Sequence, residues 1–185
     1  LDFHKTMDAY CDAKAMLFTR CRTGVANVDD AYAGRILAQA SCRCLTYSAQ
    51  QPASLRAKHL QLLSDRVEFD AEYDGQTQPV TLGIPGIFSV YNALGVIQTA
   101  QALGLPLPQI AEALSTAQGV KGRAEVVPTP GKAYTLLIDY SHTPDSLENV
   151  LKTVRGFCKG RVIAVFGCGG DREKEKRPRM GRIAG

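Results

Sequence analysis

Lys14 is the first residue whose type and position could do chemistry. It falls on the apolar stripe of a helical segment, four residues after Tyr10 and three before Leu17. A lysine there either snorkels its ammonium to water or, if buried, loses its proton and becomes a neutral amine. Such an amine reacts with carbon dioxide to give a carbamate, which is a hard oxygen ligand suited to Mg²⁺. Two further groups follow extended apolar runs. Asp139 ends one of them, with His142 three residues on. A carboxylate in that place accepts from ribose hydroxyls, or simply supplies negative charge to the following helix, worth about 0.3–1 kcal/mol. His142 either faces a ligand or sits solvated before that helix. Gly167-Cys-Gly-Gly170 follows the second run, with Arg172 just after it. That turn suits a phosphate but does not match G-x-G-x-x-G. Arg172 and Arg123 each offer a planar fork for carboxylate or phosphate, or are surface arginines. No G-x-x-x-x-G-K-[ST] occurs, so a P-loop nucleotide site is incomplete within this chain.

The elements that must position these groups are legible from periodicity. Phe3, Met7, Tyr10, Leu17 and Phe18 predict a helix over 3–18. Residues 24–28 predict a strand, after which Asp29-Asp30 cap a helix over 31–40. Leu45 to Tyr47 predict another strand. Val67, Phe69, Ala71 and Tyr73 alternate up to Asp74-Gly75, and an extended run to Ile84 completes a hairpin. Tyr91–Leu103 reads as a helix stopped by Gly104, and Gln109–Thr116 as a second. Pro128, Pro130 and Gly131 mark a boundary. Beyond it, Tyr134–Asp139 predicts a strand, Thr143-Pro144 opens a helix, and Arg161–Phe166 predicts a buried parallel strand. Residues 134–170 therefore read as a βαβ unit, with both polar clusters at the carboxyl ends of its strands.

Composition narrows the class. The 185 residues are 45% hydrophobic and 22% charged, which is ordinary for a globular protein. No apolar run approaches the ~18 residues of a membrane span, and no secretory leader is visible. Of the net charge of +4, the stretch from Asp171 to Arg182 carries six bases and three acids. A local patch suits a small anion or a solvated loop, not the broad basic face of a nucleic-acid binder. The six cysteines lack zinc-finger spacing, and free thiols in a reducing cytoplasm are expected. Leu1 in place of an initiator Met reads as a cut end.

These motifs, taken in order, resemble the Mur ligase family. The strings are Asp139-Tyr-Ser-His-Thr-Pro-Asp-Ser-Leu-Glu-Asn-Val-Leu151, Phe166-Gly-Cys-Gly-Gly-Asp-Arg172 and Lys176-Arg-Pro178. Leu1-Asp-Phe-His-Lys-Thr-Met-Asp8, Asp12-Ala-Lys14, Asn27-Val-Asp-Asp30, Tyr91-Asn-Ala-Leu94 and Gly122-Arg-Ala-Glu125 resemble the same family. The branch resembled is the one that adds the third amino acid in peptidoglycan precursor synthesis. The resemblance implies an α/β protein. Residues 1–127 would be the C-terminal part of a central mixed-sheet ATPase domain, and 128–185 the first βαβ unit of a Rossmann-like ligase domain. Pro128–Gly131 would be the hinge. The family's P-loop would lie upstream of Leu1 and its amino-acid-selecting motif downstream of Gly185. Its metal-binding histidine would precede Leu1, so His4 is not credited with that role.

By position, the resemblance makes Lys14 the carbamylated lysine that holds Mg²⁺. Asn92 would contact adenine, Arg123 would lie near the phosphates, Asp139 would bind ribose, and His142 would face the same nucleotide. Arg172 would bind the carboxylate of the incoming amino acid. Ser89 stands where the family often has Asn, which puts a contact there in doubt. The implied reaction is ATP-dependent. A carboxylate of UDP-N-acetylmuramoyl-L-Ala-D-Glu becomes an acyl phosphate, which the amine of a free amino acid attacks; Arg172 points to meso-diaminopimelate, with lysine left open. The enzyme would be a cytoplasmic monomer. Two alternatives stay open: a sister ligase of the folylpolyglutamate or cyanophycin synthetase type, or a nucleotide-binding module without catalysis of its own.

Overall fold

The computed structural model describes residues 4–169 and 174–185. Arg172 and the last residue of the glycine turn, Gly170, therefore lie outside the described residues. The chain resolves into two compact units. The first runs to Leu60 and takes in 68–81 and 90–115; the second comprises 61–67, 82–89 and the chain from Thr116.

In the first unit, Thr6 caps helix α1 (Met7–Ala15), its hydroxyl accepting from the Ala9 amide at 3.1 Å. A 3-10 turn, Met16–Thr19, follows. The buried side of α1 is Cys11 and Ala15, whereas Leu17 just beyond it is 65% exposed. Of the expected apolar stripe, Met7, Tyr10 and Leu17 therefore face outward, Phe18 is half-buried, and Phe3 lies outside the described residues. The reason is steric: small Cys11 and Ala15 let α1 lie close to helix α2 (Ala33–Gln39). Arg35 of α2 then grips Asp12 through two hydrogen bonds of 2.7 Å, and Gln39 adds a third at 3.0 Å. Asp29 does not cap α2. Asp30 accepts from the Tyr32 amide at 2.8 Å, but the residue preceding the helix makes no side-chain cap.

Five strands form one mixed sheet in the order β1 to β5. They are β1 (Thr23–Asn27), β2 (Arg43–Ser48), β3 (Leu55–Leu62), β4 (Val67–Tyr73) and β5 (Gln76–Leu82). β1 runs parallel to β2 with Thr23 opposite Arg43, and β2 runs parallel to β3 with Tyr47 opposite Leu55. β3 was not evident from the sequence. Its inward residues Leu55 and Ala57 are buried, but Lys58 pairs with Glu72 and His59 with Asp70 on its other positions. Asp74 and Gly75 both take positive φ, 49° and 73°, which is the turn expected for this hairpin. Gly24 in β1 admits no side chain: a Cβ there would lie 2.4 Å from the Phe18 ring and 3.1 Å from Cys42 Sγ. Helix α3 (Ile87–Ala102) begins four residues earlier than expected, and helix α4 (Leu107–Thr116) two earlier. Val90, Leu94 and Ile97 of α3 are fully buried.

In the second unit, β6 (Glu125–Val127) pairs antiparallel with β7 (Leu136–Ile138). Helix α5 (Pro144–Phe157) opens as the sequence indicates. Thr143 Oγ1 accepts from the Ser146 amide at 3.2 Å, Ser146 Oγ accepts from the Thr143 amide at 3.0 Å, and Pro144 fills the first position. From Lys176 on, the basic stretch is helical and not a loop: α6 (Lys176–Ala184) tolerates Pro178 in its first turn. Met180 of α6 and Leu147 of α5 are buried, and Arg179 reaches Asp145 at 3.2 Å.

The α/β class and the mixed sheet hold, but the second strand of the expected βαβ unit does not form. Residues 161–166 make no ladder, and Ile163 and Val165 are 69% and 95% exposed. An apolar run becomes a strand only when a neighbouring backbone takes up its amides and carbonyls. β7 pairs with β6 instead. Between β7, α5 and the 161–166 run lies an open cavity of about 710 Å³, lined among others by Leu137, Leu151, Val154 and Val162.

Candidate functional site

The second unit gathers three of the expected site residues at the end of β7. Asp139, half-buried, follows that strand directly. Its Oδ2 accepts from the Ala124 amide at 2.9 Å, and its Oδ1 accepts from Ser141 Oγ. Ala124 is held at φ 46°, in the left-handed region that a side chain disfavours. Asp139 thus anchors the loop that carries Arg123. Glu125 secures the same loop by accepting from the Gly122 amide at 2.7 Å. The Arg123 guanidinium then lies 5.0 Å over the Tyr140 ring, and Tyr140 meets His142 edge-on at 5.1 Å between centroids. His142 Nδ1 donates to the Tyr140 carbonyl at 2.9 Å, since a carbonyl only accepts. In the neutral ring this tautomer leaves Nε2 as the acceptor. Arg123, Tyr140 and His142 are all exposed. The result is a carboxylate, a cation and an aromatic–imidazole pair on one rim beside the start of α5. Sequence reasoning did not assign a role to Tyr140; its place between two site candidates in Asp139-Tyr-Ser-His142 was the available signal.

The first unit carries the other two described candidates. Lys14 is exposed on α1, its ammonium 5.1 Å over the Tyr10 ring. It is therefore open to a ligand, stacked on an aromatic face and not buried in the core. Asp8 and Asp12 on the same helix are both engaged by Arg35, at 3.4 and 2.7 Å. That pairing pulls the Asp12 carboxyl down to about 2, chiefly through the Arg35 and Gln39 hydrogen bonds. Asn92 is exposed on α3 and lines a shallow groove of about 640 Å³ with Val25, Tyr47, Tyr91, Gly95 and Val96. An amide beside an apolar wall can pair with the edge of a flat heterocycle.

The start of α3 is set by a network that the sequence did not reveal. Asp29 Oδ1 accepts from Ser48 Oγ at 2.6 Å, and Oδ2 accepts from the Ala49 amide at 2.8 Å and from Tyr91 hydroxyl at 3.1 Å. Burial pushes the Asp29 carboxyl up. The hydrogen bonds from Ser48, Ala49, Tyr91 and Gln51 together outweigh it, leaving the group below its usual value. Tyr91, whose phenol is raised mainly by burial, is thereby fixed next to Asn92. Ser89 is buried and donates to the Pro85 carbonyl at 3.2 Å, so it serves the helix start.

No group of three or more His, Cys, Asp and Glu is arranged to hold a metal among the described residues. Mg²⁺ asks for less where phosphates share it, one or two protein carboxylates and several waters being the usual complement. Asp8 and Asp12 are committed to Arg35, and Lys14, exposed on the Tyr10 ring, lacks the burial expected to free its amine, so a metal-holding carbamate there rests on the resemblance and not on this geometry.

One unit carries a mixed sheet with a groove that Asn92 lines, and the other a strand end that presents a carboxylate and a guanidinium: an α/β protein with a candidate site in each unit. The sequence model of the Mur ligase middle domain matches residues 1–100, and that of the Mur ligase glutamate ligase domain matches residues 122–185. The chain belongs to the Mur ligase family. A UDP-N-acetylmuramoyl-L-alanyl-D-glutamate–2,6-diaminopimelate ligase of Clostridium botulinum is 43% identical over 99% of this chain and 38% of its own length. The ligase of the same name from Clostridium tetani is 44% identical, with the same coverage. A solved structure of a UDP-N-acetylmuramoyl-L-alanyl-D-glutamate–2,6-diaminopimelate ligase superposes with a TM-score of 0.74 at 32% identity, over 98% of this chain and 39% of that one. The chain thus spans about two-fifths of the length of these relatives.

Proposed function

We propose that this chain contributes the nucleotide- and amino-acid-handling parts of an ATP-dependent ligase that joins meso-diaminopimelate to UDP-N-acetylmuramoyl-L-Ala-D-Glu. The observation that carries the reading is the Arg123–Tyr140–His142 rim with Asp139 behind it, on the segment that matches the glutamate ligase domain. In this reading residues 1–127 belong to the central ATPase domain, 128–185 open the ligase domain, and Pro128–Gly131 is the hinge between them.

Each residue then has a defined task. Asp139 accepts from ribose hydroxyls through the lone pairs that Ala124 and Ser141 leave free. Arg123 sets a fixed cation near the phosphates, its stacking on Tyr140 limiting the entropy lost on binding. His142 offers Nε2 as an acceptor to the same nucleotide. Asn92 reads the adenine edge from the apolar groove. Arg172 takes the carboxylate of the incoming amino acid in a bidentate fork. Lys14, as a carbamate, would hold Mg²⁺, which would supply charge neutralisation for phosphoryl transfer.

ATP gives its γ-phosphoryl group to the free carboxylate of the dipeptide, forming an acyl phosphate and ADP. The amine of diaminopimelate attacks the acyl carbon, the tetrahedral intermediate expels phosphate, and a peptide bond remains. The test uses the full-length enzyme with ATP and UDP-N-acetylmuramoyl-L-Ala-D-Glu, offered meso-diaminopimelate or L-lysine. The tripeptide product with diaminopimelate, with phosphate released in equal amount, is expected. Product only with a folate or an aspartate polymer as acceptor would reject the reading.

A further inference from the structure

Away from the nucleotide-type rim, the first unit holds three thiols together. Cys42 and Cys44 flank Arg43, with their sulfurs 3.9 Å apart, and Cys44 Sγ also donates to the Cys42 carbonyl at 3.6 Å. In a regular strand, residues two apart have Cα atoms about 6.6 Å from each other, near the long limit for a disulfide. Cys42 sits in a bend just before β2 begins, and that bend draws its sulfur toward Cys44. Cys21, just ahead of β1, lies near enough to Cys42 for the two thiols to influence each other. All three are partly accessible, whereas Cys11 is buried and Cys168 lies against Met180 Sδ at 3.6 Å.

We propose that Cys42 and Cys44 are a modification site: a hydroperoxide converts them to a reversible intrachain disulfide. One thiolate attacks the peroxide, its O–O bond breaks, and the products are a sulfenic acid and an alcohol, or water from hydrogen peroxide itself. The second sulfur attacks the sulfenic sulfur, the S–S bond forms, and water leaves. Two thiols and one hydroperoxide thus give one disulfide, one alcohol and one water. The sulfurs must close from 3.9 Å to about 2.05 Å. Cys42 lies outside β2, so this movement spares the ladder that starts at Thr23 and Arg43. Burial raises the Cys21 and Cys44 thiols alike, so it is the 3.9 Å approach of Cys42 and Cys44 that selects this pair. Ser41, next to Cys42, ties the turn after α1 to this segment through Phe18 and Thr19 carbonyls at 3.3 and 3.4 Å. The disulfide therefore forms beside the helix that bears Lys14.

The test treats the full chain with hydrogen peroxide, blocks remaining thiols with iodoacetamide and cleaves with trypsin. Cleavage after arginine places Cys21 in the dipeptide Cys21-Arg22, Cys42 in residues 36–43 and Cys44 in residues 44–56. Recovery of 36–43 linked to 44–56 is expected, with the free thiols falling from six to four. Dithiothreitol should release the pair, and Cys44→Ser should abolish it. The variant Cys158→Ser/Cys168→Ser should keep it. Linkage of 21–22 to 36–43, cross-links between two chains, oxygen-added cysteines without a cross-link, or an unchanged thiol count would each overturn the proposal.

Discussion

Replacing Asp139 with Ala removes the anchor of the loop that carries Arg123. Its carboxylate accepts the Ala124 amide at 2.9 Å, and a hydrogen bond to an ionised group contributes about 1.5–3 kcal/mol. The Ser141 hydroxyl also lost from this carboxylate keeps a second acceptor, the Ser146 carbonyl at 3.2 Å, so its loss adds little. Against this, Ala124 at φ 46° stores roughly 1–2 kcal/mol of left-handed strain, part of which the freed loop recovers. The balance is a destabilisation of about 2 kcal/mol. Urea unfolding followed by circular dichroism should show it as a lower midpoint at unchanged slope. Asp139→Asn keeps an acceptor oxygen and should lose roughly half as much. If Asp139 binds ribose as proposed, nucleotide affinity should fall in both variants, because its charge is lost in each. A midpoint within ~0.5 kcal/mol of wild type for Asp139→Ala, together with unchanged nucleotide affinity, would refute the reasoning.

Met180→Ala should empty a fully buried position between α6 and α5 and cost about 2–5 kcal/mol, read from the same unfolding curve. Asp12 carries a folded-state value of about 2 against an ordinary 3.8. Its stabilising contribution is therefore full above pH 4 and lost as pH falls through 2. Carboxyl NMR titration should show that low value, and Arg35→Ala should return it toward 3.8. Burial, followed by the hydrogen bond with Cys42, raises the Cys44 thiol, so less thiolate is present at neutral pH. Iodoacetamide should alkylate Cys44 more slowly than a free cysteine at pH 8, and the rate should still be climbing at pH 9.

Local chemistry made part of this fold legible. Asp74-Gly75 allowed the positive φ pair that closes the hairpin, and Thr143-Pro144 with Ser146 built the cap of α5. Both are decided within a few residues. What failed depended on partners distant in sequence. The stripe of α1 follows the spacing of its large apolar residues, but closeness to α2 selected Cys11 and Ala15 as the buried pair. The 161–166 run has strand composition, yet a strand needs a ladder, and β7 gave its pairing to the unforeseen β6. At the site, Arg123, Asp139 and His142 were legible as types at strand and loop ends. The Asp139–Ala124 bond that joins them was not, because it links positions 15 apart. The Asp29–Tyr91 bond spans 62 and was equally hidden.

The account stands most directly on Lys14. In the full-length enzyme, Lys14→Ala should reduce diaminopimelate ligation by ~100-fold or more, as loss of a group that stabilises transferring charge does. Lys14 is exposed on α1, so the fold should survive the change. A short-chain carboxylate added to the assay should restore part of the rate. Wild-type ligation by Lys14→Ala without added carboxylate would contradict the account.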